Sequence, residues 1–191
     1  MKPSRFFLLL ATLFAAVSFA FGQAAEPKSF SKDGVTFNYP AGWTFTDGSD
    51  NNADNLTFTR PDLESQFTVM VFRTPLNTPE KFAEAKKILV DRYIESSIKQ
   101  FADAGGKPVS TPSTSEISSL AAEGVKIKAS LDGVPGSAEI EWAVVESRMV
   151  VLTLLGPTAS VTKSAAAWDM TRTTMKIAPQ PQLTPAQKKK P

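Results

Sequence analysis

Apolar side chains alternate with polar ones over residues 35–39, 43–46, 56–59 and 66–73, the two-residue period of strands with one buried face. Pro40-Ala-Gly42 stops the first strand, residues 47–55 read as a polar loop, and residues 60–65 read as a turn. The period then changes. Phe82, Ala85, Leu89, Tyr93, Ile94, Ile98 and Phe101 recur at three- and four-residue steps, which predicts a helix with one apolar face. Thr78 suits its N-cap, Pro79 its first position and Glu80 the positive end of its dipole. Gly105-Gly106 ends it, and residues 107–115, rich in Ser, Thr and Pro, read as a linker.

Strand periodicity returns in the second half. Val125, Ile127, Ala129 and Leu131 alternate with Lys126, Lys128 and Ser130, and a second run covers residues 138–145. A type II′ turn at Gly133-Val134 sets Lys128 opposite Glu139, Lys126 opposite Glu141 and Ile127 opposite Ile140. Ser147-Arg148 reads as the next turn. Residues 149–155 are apolar on both sides, as a strand covered on both faces should be. Gly156-Pro157 ends that strand. Ser160 is read as the cap of a last helix over residues 161–173, with Val161, Ala165 and Trp168 inward, and Met175-Lys-Ile177 closes the domain. Strands, a long helix, an antiparallel meander and a second helix predict an α+β fold, an antiparallel β-sheet flanked by helices.

The N-terminus adds a compartment. Lys2 and Arg5 precede an apolar run from Phe6 to Phe21, interrupted only by Thr12 and Ser18. A membrane-spanning helix needs about 20 apolar residues, so the run suits a cleavable signal peptide better than an uncleaved anchor. Small residues at Ala20 and Gly22 place cleavage after residue 22, or one to three residues later. The expected organisation is a signal peptide over 1–22, a lead-in over 23–29, one domain over 30–177, and a disordered Pro/Lys-rich tail over 178–191. Such a chain is periplasmic or secreted, with no transmembrane anchor after cleavage.

Composition narrows the chemistry. The chain holds 21 Lys and Arg against 19 Asp and Glu. The leader carries two of the bases and no acid, so the exported remainder is neutral, with 19 of each. Neutrality argues against nucleic acid as a partner. Without a single Cys or His, the chain has no disulfide, no thiolate nucleophile, and neither of the commonest zinc ligands. Ser-His-Asp and Cys-His hydrolases are excluded on the same ground.

One stretch carries a family pattern. Phe30-Ser-Lys-Asp-Gly-Val-Thr-Phe-Asn-Tyr-Pro-Ala-Gly-Trp43 resembles the opening of the PsbP-like superfamily, which includes PsbP, the Ran-binding Mog-type import factors and many bacterial exported proteins. The motif proper is Tyr39-Pro40-x-Gly42-Trp43, and the resemblance in element order extends over residues 30–177. It implies an α/β/α sandwich around an antiparallel sheet. It also implies a non-catalytic protein-binding or assembly module, since PsbP is an extrinsic photosystem II subunit and Mog-type members bind a small GTPase. The residues themselves read as a structural corner. Pro40 ends a strand, Gly42 permits an unusual backbone angle, and Trp43 buries a large ring.

Candidate chemistry is sparse, and no catalytic or cofactor-binding residue stands out. Ser-x-x-Lys occurs at Ser29–Lys32, Ser96–Lys99 and Ser160–Lys163, without the companion motifs of penicillin-recognising enzymes. Glu139 and Glu141 share a strand face about 7 Å apart, a spacing that a carboxylate-based hydrolase could use. Lys126 and Lys128 across the hairpin explain them better, as a solvated face. Asp47, Asp50 and Asp54 offer oxygen ligands for calcium but lack EF-hand spacing. Lys188, Lys189 and Lys190 could touch anionic lipid or cell-wall polymer. The expected partner is a protein or envelope component, with a small ligand or calcium as the alternative, and no cofactor is expected.

Overall fold

A computed structural model describes residues 26–179. The signal peptide, Lys188–Lys190 and most of the predicted tail lie outside the described residues. Strands β1 (Lys28–Lys32), β2 (Val35–Tyr39) and β10 (Lys176–Ile177) form a small antiparallel sheet in the order β1-β2-β10. The large sheet has seven antiparallel strands in the order β3-β4-β5-β9-β8-β7-β6. These are β3 (Thr44–Asp47), β4 (Ala53–Thr59), β5 (Gln66–Phe72), β6 (Val109–Ile117), β7 (Leu120–Leu131), β8 (Val134–Val145) and β9 (Arg148–Pro157).

Alternation gives the large sheet two apolar faces, and each face has its own cover. On one face Leu56, Phe58, Phe67, Val69, Leu152 and Leu154 pack with the small sheet and helix α3 (Thr158–Thr174). On the other, Ile127, Ile140, Met149 and Val151 pack against the long helical segment. That segment is α1 (Pro79–Ala85), a π-helical stretch (Lys86–Asp91) and α2 (Arg92–Asp103). The result is an α+β sandwich with helices on both faces of an antiparallel sheet.

The π-helical stretch explains one departure from the sequence pattern. A plain α-helix with Ala85 inward turns Leu89 inward next. The π turn inserts one residue, so the inward position after Ala85 is Val90, which is fully buried. From Val90 the ordinary period resumes through Ile94, Ile98 and Phe101. The i,i+5 ion pair of Lys86 with Asp91, 2.8 Å, spans the same stretch.

Hairpin geometry corrects the predicted register. The β7–β8 turn is Asp132-Gly133, with φ of 50° and 83°, and not Gly133-Val134. Aspartate followed by glycine is the type I′ signature, and its twist matches that of the strands. Lys126 therefore faces Glu139, Gly124 faces Glu141 and Ile127 faces Ala138. The shift is two residues, so each side chain keeps its predicted face. Asp33-Gly34, Ser118-Ser119 and Glu146-Ser147 make three more two-residue turns with positive φ at both positions. The β8–β9 turn is thus one residue earlier than expected, and Arg148 opens β9 as a buried strand residue.

Three further expectations are corrected. Residues 107–115 are not a linker, because most of them belong to β6, an edge of the large sheet. Residues flanking a two-residue turn exchange both backbone bonds, so Ile117 and alternate residues before it face β7. Pro112 falls on the other parity, at the open edge, where its missing N–H costs no ladder bond. Ser160 does not cap α3, which begins at Thr158 with no side-chain cap bond. Its carbonyl accepts from the Ser164 hydroxyl at 2.9 Å instead. The inward face of α3 is Val161, Ser164, Ala167, Trp168 and Thr171, and Ala165 is exposed.

Candidate functional site

The start of the long helical segment stands off the sheet. No residue of α1 is buried, and only Phe82 and Ala85 are half-buried. Thr78 Oγ1 accepts from the Lys81 backbone N–H, which fixes the start of α1. The Leu76 N–H donates to the Ser147 carbonyl at 2.7 Å and ties the approach to α1 to the β8–β9 turn. Between these anchors lies an open cleft of about 470 Å³, with Leu76, Pro79 and Phe82 on one side and Ala121, Glu123 and Trp142 on the other.

Apolar groups dominate this lining, and one carboxylate stands out. Glu123 shares its strand face with Val125 and Ile127, which are core residues. It is exposed and makes no ion pair among the described residues. Trp142 is 6% exposed, and Lys86 Nζ lies 5.3 Å from its ring centroid. The Trp142 Nε1–H is buried and has no hydrogen-bond partner among the described residues. An unmade bond of this kind costs about 1–3 kcal/mol.

The residues singled out in the sequence lie elsewhere. Tyr39 and Trp43 are buried, Gly42 has φ of 88°, and the Trp43 N–H donates to the Pro40 carbonyl at 3.4 Å. Trp43 packs against Phe67, and Tyr39 against Phe58, inside the core. The calcium candidates do not converge. Asp47 pairs with Lys32 at 2.6 Å, and that bond together with those from Ser49 holds its carboxyl far below the usual range. Asp50 accepts from the Asn52 and Ala53 N–H groups, which lowers its pKa. Asp54 belongs to β4 rather than to the polar loop. It is buried between Arg148 at 2.8 Å and Arg73 at 2.6 Å. Among the described residues no three acidic groups come together to hold a cation.

Glu139 and Glu141 do share a face, but their surroundings differ. Glu139 meets Lys126 at 3.1 Å. Glu141 is buried, and its Oε2 lies 3.6 Å from Arg172 Nη1 without a hydrogen bond. Burial pushes its pKa up, against the opposing pull of Ser115 and Arg172. Of the Ser-x-x-Lys lysines, Lys32 is held by Asp47 and Lys99 by Asp103. The cleft itself was missed in the sequence. Its one readable signal is Glu123, a carboxylate in a row of strand positions otherwise filled by Ala, Val, Ile and Leu.

The fold has relatives among solved structures. It is similar to cyanobacterial PsbP (CyanoP) from Synechocystis sp. PCC 6803, at 15% identity over 83% of this chain and 96% of that chain, with a TM-score of 0.52. It is also similar to a protein from Bacteroides thetaiotaomicron VPI-5482, known from a crystal structure at 1.50 Å resolution. That match has 14% identity and a TM-score of 0.53, and it covers 85% of this chain but about half, 52%, of the other. No protein-family model matches the chain, and no curated protein matches it. These likenesses show a PsbP-like fold. Among the described residues no helix is long and apolar enough to cross a membrane.

Proposed function

We propose that this chain is a bacterial exported protein of the PsbP-like kind, a non-catalytic binding or assembly module acting in the periplasm or outside the cell. Its partner is a protein or envelope component, and the contact surface is the cleft between α1 and strands β7 and β8. The cleft carries this reading. It leaves Phe82, Leu76 and Ala121 lining open space beside a carboxylate with no ion pair among the described residues, while the acidic residues picked out as metal or catalytic candidates are tied into ion pairs, backbone bonds or burial. The PsbP-like fold supports it by analogy alone.

A photo-crosslinking amino acid at position 82 tests the surface in cells producing the full chain. The expected result is one discrete adduct from position 82 and none from position 134, an exposed residue at the start of β8. Adducts that are identical from both positions, or absent from both, would overturn it. Export is tested separately by N-terminal sequencing of the extracytoplasmic form, which should begin at Gln23.

A further inference from the structure

We infer that the cleft takes a basic segment of a partner protein with an apolar side chain between its positive charges. This rests on the cleft being the contact surface and adds the chemistry of what fills it. Charge gives the first argument. Among the described residues Glu123 lines the cleft, and no basic residue does. Glu116 lies directly across the β6–β7 pair from the lining residue Ala121. Glu146 precedes the lining residue Ser147 in the β8–β9 turn. All three glutamates are exposed, and none forms an ion pair among the described residues. The nearby lysines are engaged: Lys81 Nζ with Asn77 Oδ1 at 3.1 Å, and Lys86 Nζ with Asp91. Among the described residues the lining therefore carries one negative and no positive side chain, with Glu116 and Glu146 beside it and Lys81 at its edge on Asn77.

The floor gives the second argument. Phe82, Leu76 and Trp142 form an apolar surface that a carboxylate-lined rim alone would not need. The Trp142 indole N–H is buried without an acceptor, and Trp142 is among the lining residues. A backbone carbonyl brought in by an extended segment can supply that acceptor once α1 shifts. Such a shift moves Phe82 and Ala85, the two α1 residues half-buried against the core. An apolar anchor flanked by cations satisfies floor and rim together.

The test titrates the full exported chain, isotope-labelled for NMR, with three capped peptides: Lys-Leu-Lys, Glu-Leu-Glu and Lys-Gly-Lys. The expected result is amide shifts at residues 76–82, 121–123 and 142–147 with Lys-Leu-Lys only, weakening as salt is raised. Its Kd should be at least about tenfold below that of Glu-Leu-Glu. The combined E116Q and E123Q changes should reduce that preference to about threefold or less. Equal binding of acidic and basic peptides in the cleft would overturn the basic partner and leave the cleft as the contact surface. Shifts elsewhere, or none at millimolar peptide, would overturn both.

Discussion

Replacing Arg148 by Met should be among the most damaging single changes in the domain. Arg148 is 3% exposed, and each nitrogen of its guanidinium has a hydrogen-bond partner, the buried Asp54 among them. Nη2 meets Asp54 at 2.8 Å, Nε donates to the Phe72 carbonyl at 3.2 Å, and Nη1 donates to the Asp33 carbonyl at 3.3 Å. These bonds pin the β1–β2 turn to the ends of β4, β5 and β9, and so join the small sheet to the large one. Methionine keeps the length and removes the charge, leaving Asp54, itself 2% exposed, with Arg73 as its cationic partner. Breaking a buried pair from one side costs about 3–5 kcal/mol. At about 2–4 °C per kcal/mol for a chain of this size, Tm should fall by roughly 6–20 °C. Thermal unfolding followed by circular dichroism reads this directly. Asp54→Asn and the double variant complete a cycle, and the double variant should recover about 1–3 kcal/mol relative to the sum of the singles. An Arg148→Met variant within about 1 kcal/mol of the parent, or a cycle with no coupling, would refute the claim that this network holds the two sheets together.

Three other changes test separate parts of the reasoning. Burial raises the pKa of Glu141, so its contribution to stability is fully present below the ordinary glutamate range and is lost as pH rises through the folded-state value. Glu141→Gln should therefore gain Tm relative to the parent between pH 4 and pH 8, and a difference independent of pH would count against the buried charge. Ser119 sits at φ of 62° in the β6–β7 turn, where a side chain is strained. Ser119→Gly should stabilise by about 0.5–1 kcal/mol, seen as a higher midpoint in urea, with Ser119→Ala giving no gain. A Cβ on Gly124 would lie 2.7 Å from Ser113 Oγ and 3.0 Å from the Ile140 carbonyl. Gly124→Ala should cost about 1–3 kcal/mol by the same urea titration, and a neutral result would mean that β6 yields freely at that point.

Local rules made much of the fold legible. The strand at residues 35–39 declares itself because alternation and a following proline agree, and residues 149–155 do so because a strand covered twice needs apolar residues on both sides. The misreadings came where two local signals competed or where a distant residue decided. At residues 132–134 glycine satisfied two turn types, and the aspartate before it selects between them. At residues 109–117 composition spoke for a linker, yet Pro112 costs nothing at an open edge, and edge position is not written in the strand itself. Asp54 read as loop because a charge in a strand looks misplaced, and its reason is Arg148, a residue 94 positions away.

The cleft was harder to see for a related reason. Phe82 fits the helix stripe and Trp142 fits an apolar strand, so each satisfies its own element and neither signals open space between them. The space lies beside the first end of the helical segment, where α1 meets the ends of β7 and β8. The π turn re-phases the chain so that Val90 reaches full burial and the residues after it pack with the core. The seven residues before it, α1, half-bury Phe82 and Ala85 against the same core and lie over the ends of β7 and β8. Removing the extra residue tests this link between a helix irregularity and a surface. Deletion of Lys87 should restore a plain α-helix over residues 79–103 and rotate α1 by about 100° relative to α2. Phe82 would leave the cleft, and amide shifts induced by the Lys-Leu-Lys peptide at residues 76–82 should vanish while the fold, read by far-UV circular dichroism, is kept. Undiminished shifts at those residues in the deletion variant would mean that the cleft does not depend on the π turn.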